Sequence, residues 1–229
     1  MGKRITAAYP IAKAGGIPIN TSIPASKETY DRLGGRDVAF VVLHYTGNVS
    51  DTAEANCKYF AGGDREASAH YFVDEDSIYQ SVPVCDRAWA VGSPAPVHPL
   101  CRNTNSVSIE MCCSGNYHVS ERTKANAAAL TAELCKLLGI SGVDTYVLRH
   151  YDVTGKLCPK YWVDDPQGIV RFRNMVKERI EMVSKCKMII DGKEIEVERI
   201  LKDGTNYIKI RDIAKALDLE VSNKGNVPI

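Results

Sequence analysis

A chain of 229 residues with 45% apolar and 25% charged side chains has a globular composition, long enough for one cored domain and a small appendage. Its formal net charge of +1, with Lys and Arg spread along the chain, excludes the strong field of a nucleic-acid or anionic-membrane binder. No stretch approaches the roughly 20 apolar residues of a membrane span. The opening "MGKRITAAYPIAKAGG" lacks the apolar core of a secretory signal, so a soluble product of the cytoplasm is expected.

Residues 1–35, rich in Gly, Pro, Ser and Thr, read as an irregular arm. "VAFVVLH" (38–44) is an apolar run closed by a histidine, as a strand buried on both faces would read. A helix follows over about 51–61, with Asp51 as N-cap and Glu54 three residues on. "SAHYFVD" (68–74) and "SIYQSVP" (77–83) predict a hairpin, and "SVSIEMCC" (106–113) a further strand. The next helix runs from Ser120 to Leu138 and stops at Gly139. "TYVLRH" (145–150) predicts another strand, and 165–183 a helix with Pro166 in its first turn and Ile169, Phe172, Val176, Ile180 and Val183 inward. This alternation predicts an α/β fold, a mixed central sheet flanked by helices.

Eight cysteines without a signal segment argue against a disulfide framework, and their spacing holds no pair of CxxC motifs for a zinc ribbon. Most therefore read as small buried hydrophobes. Cys158 differs, because it follows His150 by eight residues with Gly155 between them to turn the chain. His44 and His150 each close an apolar strand, where a rigid scaffold meets an accessible loop. Were those strands neighbours, the two imidazoles and Cys158 would form a three-ligand Zn²⁺ set with an open fourth position. The alternative is two histidines hydrogen-bonded separately.

Glu110 stands in the apolar context "VSIEMCC", where a bare carboxylate is costly. It is either the carboxylate that moves protons beside a metal or the partner of a base such as Arg149. Lys156, two residues before Cys158, points to the same cavity if the loop turns there; otherwise it is a solvated loop lysine.

The ordered segments "VVLHYTGN", "ASAHYFVDEDSIYQSVP", "AWAVG", "TNSVSIEMC" and "LRHYDVTGKLCP" resemble the zinc-dependent N-acetylmuramoyl-L-alanine amidases, the family of phage endolysins, bacterial autolysins and peptidoglycan recognition proteins. The resemblance spans about residues 36–180. It implies a bacteriophage-lysozyme-like amidase fold and zinc on His44, His150 and Cys158. It also implies proton transfer by Glu110 and an oxyanion-facing Lys156, with peptidoglycan as substrate. Trp89 and Asn105 match recurrent groove positions, as substrate-binding or structural residues. Ala69 replaces a catalytic Tyr of some relatives, Ala90 a His of many, and Ser108 a frequent Gly. Glu110 is therefore expected to carry more of the proton transfer. The resemblance leaves three readings: a wall-lytic enzyme, a non-catalytic peptidoglycan-binding protein, and a cysteine hydrolase using Cys158 with His150. The first is favoured by the intact ligand set, as a phage or prophage endolysin released through a holin.

The catalytic domain is expected over 1–185. Residues 187–229 form a second, small α+β segment with a turn at Asp203-Gly204 and a helix at "RDIAKALDL". Its eight basic and eight acidic side chains give no bias toward anionic wall polymers. It resembles the short stalk-type repeats of some clostridial wall enzymes and reads as a wall-attachment or self-association module, with room for truncation at Ile229.

Overall fold

A computed structural model describes residues 2–181, 184–202, 205–219, 223–224 and 227–228. The chain divides into two compact units, Met1–Lys177 and Glu178–Ile229. That division falls ahead of the 185–187 boundary expected above.

In the first unit the strands in chain order are β1 (Lys3–Ile5), β2 (Lys13–Ala14), β3 (Ile17–Asn20), β4 (Tyr30–Asp31), β5 (Arg36–Val38) and β6 (Phe40–Tyr45). Helix α1 (Ala53–Ala61) follows, then β7 (Tyr71–Val73), β8 (Ile78–Gln80), β9 (Arg87–Ala88) and β10 (Ser106–Met111). After α2 (Glu121–Leu138) and α3 (Val143–Tyr146) come β11 (Val147–Arg149), α4 (His150–Thr154), α5 (Lys160–Asp164) and α6 (Gln167–Ile180).

Seven strands form one mixed sheet in the order β11-β6-β10-β7-β8-β3-β2. Its centre, β11-β6-β10-β7, is parallel, which is why β6 reads as an apolar run, whereas β10 alternates Ser106, Ser108 and Glu110 with Val107, Ile109 and Met111. Helix α1 buries Ala53 and Cys57 against Phe72 and Cys112 on one face. The alternate residues Leu43, Tyr71, Ile109 and Met111 point to the other face and are also fully buried, with α2 packed across their strands. Ser120 caps α2 by accepting the Thr123 N–H, and Gly139 ends it at φ +68°.

Three expectations need correction. The arm 1–35 is only in part irregular: β1 pairs with β5, β4 with β9, and β2-β3 completes the edge of the main sheet. Strands of two to four residues are too short to show a period, although the two-residue Gly15-Gly16 turn, both at positive φ, is a hairpin signal. Thr52, not Asp51, caps α1, and Asp51 is occupied elsewhere. Only Val147–Arg149 of the strand expected over 145–150 is extended, and His150 opens a helix.

Gly168 lies where α6 crosses Trp162, and a Cβ there would sit 2.2 Å from Trp162 Cδ1. Trp162 is buried, its ring tilted against that of Phe172 at 5.0 Å between centroids. Gly168→Ala is therefore expected to destabilise the protein by about 1–3 kcal/mol, read as a lower thermal midpoint. An unchanged midpoint would mean that Trp162 moves aside freely.

The second unit holds an antiparallel sheet of β12 (Ser184–Ile190), β13 (Lys193–Lys202) and β14 (Thr205–Ile208), with α7 (Ile210–Ala216) packed on β13. Among its described residues Val197 and Ala214 are the buried apolar ones. The turn expected at Asp203-Gly204, and Val183 of the α6 face, lie outside the described residues.

Candidate metal centre

β6 and β11 are parallel neighbours with Arg149 opposite Leu43, so His44 near the end of β6 and His150 just after β11 lie side by side. Their ring centroids are 4.6 Å apart. Gly155, at φ +81°, ends α4 in the left-handed region and reverses the chain. The Tyr151 N–H then donates to the Cys158 carbonyl at 2.9 Å, closing the loop. One ligand atom each from His44, His150 and Cys158 lies within 4.8 Å of the others, and all three residues are buried.

The donors suit a divalent metal. Burial drives both imidazoles toward the neutral form, His150 to about 4 and His44 well below its usual value, so each keeps a lone pair at neutral pH. His44 Nε2 is buried without a hydrogen-bond partner. Such an orphan is costly unless something else is bound there. Cys158 Sγ has only a 4.0 Å approach to the Tyr45 carbonyl. Burial pushes its thiol up to about 12.

Glu110 stands directly opposite His44 in the β6–β10 register. Its Oε1 lies 3.8 Å from His44 Nδ1, and its Oε2 is buried without a partner. Burial pushes the carboxyl up to about 8, against a downward pull from Lys156. The alternative partner is taken, since Arg149 binds Asp152 and the Trp162 carbonyl.

Two cavities flank this set. One, of about 540 Å³, is lined by His150, Lys156, Trp89 and Asn103. The other, of about 510 Å³, is lined by Glu110, Thr46, Asn48 and Asn56. Lys156 is exposed at the rim of the first. Trp89 lines the same cavity while its indole N–H donates to Asp31. Asn105 is not among the residues lining either cavity. Its amide accepts the Arg102 N–H and donates to the Leu100 carbonyl, holding its own loop together. Asn103, two residues earlier, faces the cavity and accepts the Ala90 and Val91 N–H groups.

Sequence reasoning missed a buried polar layer beneath the site. The Ser108 N–H donates to His70 Nδ1 at 3.1 Å, and the Arg36 guanidinium lies 2.8 Å from His70 Nε2. Arg36 also donates to the Ser106 and Val84 carbonyls, and burial lowers it to about 10. The available signal was the polar alternation Ser106, Ser108, Glu110 within an apolar strand.

The family described as N-acetylmuramoyl-L-alanine amidase, Amidase_2, matches residues 34–161. The chain is 31% identical over 188 residues to N-acetylmuramoyl-L-alanine amidase CwlL of Bacillus licheniformis, covering 77% of this chain and 52% of that protein. It is 33% identical over 180 residues to N-acetylmuramoyl-L-alanine amidase BlyA of Bacillus subtilis (strain 168), covering 73% and 49%. It thus spans about half the length of the curated relatives it matches. Among solved structures, the catalytic domain of XlyA superposes with a TM-score of 0.58 at 25% identity, covering 70% of this chain and 99% of that one. With a matched region that holds His44, His150 and Cys158, the chain belongs to the N-acetylmuramoyl-L-alanine amidase family.

Proposed function

We propose that the protein is a zinc-dependent peptidoglycan hydrolase that cleaves the amide between N-acetylmuramic acid and L-alanine. The observation that carries this reading is a buried His44-His150-Cys158 set with Glu110 on one side and Lys156 on the other, each facing a groove. Zinc, when bound by those three residues, supplies a Lewis acid that acidifies water and polarises a carbonyl. Glu110 takes the proton of the attacking water and hands it to the departing L-alanine amine. Lys156 offsets the charge of the tetrahedral oxyanion. Trp89 lines the groove for substrate, and the Asn105 loop supports the neighbouring wall.

The relatives support a wall-acting role. We assign it to an endolysin or autolysin, with release through a holin as the endolysin route to the wall. No helix among the described residues is long and apolar enough to cross a membrane. We assign the second unit to wall attachment or self-association. The cysteine-hydrolase reading fits poorly, since burial holds the Cys158 thiol far from thiolate formation at neutral pH.

The test is cleavage of purified peptidoglycan before and after chelation, with zinc restored afterwards. New N-terminal alanine that disappears with chelator and returns with zinc is the expected result. Chelator-resistant cleavage abolished by thiol alkylation would replace the metal reading with the cysteine one. Bound zinc with no new amine would leave a recognition protein.

A further inference from the structure

Asp51 sits where the chain leaving His44 meets the chain leaving Glu110. Its Oδ1 accepts the Cys113 N–H at 2.7 Å and the Thr46 hydroxyl at 3.1 Å. Its Oδ2 accepts the side-chain amides of Asn48 at 2.9 Å and Asn56 at 2.6 Å. Its own N–H donates to the Cys113 carbonyl at 2.8 Å. One carboxylate therefore ties the ends of β6 and β10 to the first turn of α1.

This also settles which way two amides face. An ionised carboxylate only accepts hydrogen bonds, so Asn48 and Asn56 must both turn their NH₂ groups toward Asp51. Asn56 Nδ2 is held further by the Thr52 carbonyl at 2.9 Å. Among the described residues neither Oδ1 has a hydrogen-bond partner, and both side chains line the 510 Å³ cavity beside Glu110. That limb of the groove thus offers acceptors of fixed orientation.

We infer that Asp51 is a positioning residue that turns Asn48 and Asn56 carbonyl-outward, making the Glu110 side of the groove a subsite for the N–H donors of the substrate's peptide half. The assignment rests on the proposed function in one respect. Glu110 must reach the departing amine, so the peptide lies on its side and the sugar on the side of Lys156. A peptide extending past its first residue presents successive backbone N–H groups, the donors such a wall recognises.

The test uses the full zinc-loaded chain and two probes that need no turnover, a tripeptide beginning with L-alanine and L-alanine amide. Asp51→Asn keeps the size but adds a donor, which lets the neighbouring amides turn over. The ratio of tripeptide affinity to L-alanine amide affinity, read by titration calorimetry, is expected to fall about ten-fold. A ratio unchanged from wild type, or no tripeptide binding by the wild type, overturns the inference. Should Asp51→Asn fail to fold, the Asn48→Ala/Asn56→Ala double variant carries the same expectation and the same contrary outcome. A wild type that binds the tripeptide but cleaves no peptidoglycan would sink the hydrolase reading and leave this ratio to decide the subsite.

Discussion

Glu110→Gln is expected to lower kcat by about a hundred- to ten-thousand-fold with zinc content unchanged. The substitution keeps the shape of the side chain and its reach toward His44, but an amide accepts no proton from water. The carboxyl suits the task because the site does not hold it as an ordinary solvated acid. Burial pushes it up to about 8, Lys156 pulls it back, and among the described residues no guanidinium pins it, Arg149 being held by Asp152. A divalent cation held by His44, His150 and Cys158 would draw the value down further from 8. Since the carboxylate is the form that accepts, activity falls as pH drops through that value. The wild-type kcat/KM profile should therefore show an acid limb below pH 8 that is absent from Glu110→Gln. Near wild-type turnover in the variant, or a limb left in place, would assign the base to another group.

What was legible in the sequence followed from how each residue is placed. His44 was legible because a parallel strand buried on both faces is a nearly unbroken apolar run, so the polar residue near its end stands out, and His150 because it follows the short strand of the same sheet. Cys158 was legible because Gly155 marks a reversal within a few residues of His150. Nothing local says that β6 and β11 are neighbours. That adjacency, which converts three separate residues into one ligand set, came from the ordered resemblance and then from the sheet.

The layer of Arg36, His70 and Ser108 was opaque for a related reason. Each member sits in a different strand or approach to one, so its partners are 34 to 38 residues away and leave no spacing to recognise. The Asp51 junction shows a different failure. Its spacing to Glu54 fitted a helix cap, but the neighbouring Thr52 took that role and left the carboxylate for contacts across 62 residues. Asn105 was placed at the groove by position in a motif, yet its amide is spent on Arg102 and Leu100, and Asn103 holds the wall.

Cys158→Ser is expected to abolish stoichiometric zinc binding and with it any zinc-dependent turnover, and its proton balance makes the effect distinctive. In the metal-free site at pH 7 both histidines are neutral, pushed down by burial, whereas the thiol is pushed up to about 12 and keeps its proton. Metal binding requires the thiolate, so one proton must leave for each zinc bound. The sign follows: raising pH favours the proton-free ligand, so apparent affinity should climb about ten-fold per pH unit between pH 6 and 8. The histidines add little to that slope, having lost their protons already. Competition titrations in buffers of different ionisation enthalpy read the count directly. In Cys158→Ser the residual affinity should be at least about a hundred-fold weaker and free of that one-proton slope. A variant that holds zinc with wild-type affinity, or a wild type that releases no proton, would remove Cys158 from the ligand set. A two-histidine site would then have to find its third donor elsewhere, as in Glu110, whose Oε1 lies 3.8 Å from His44 Nδ1.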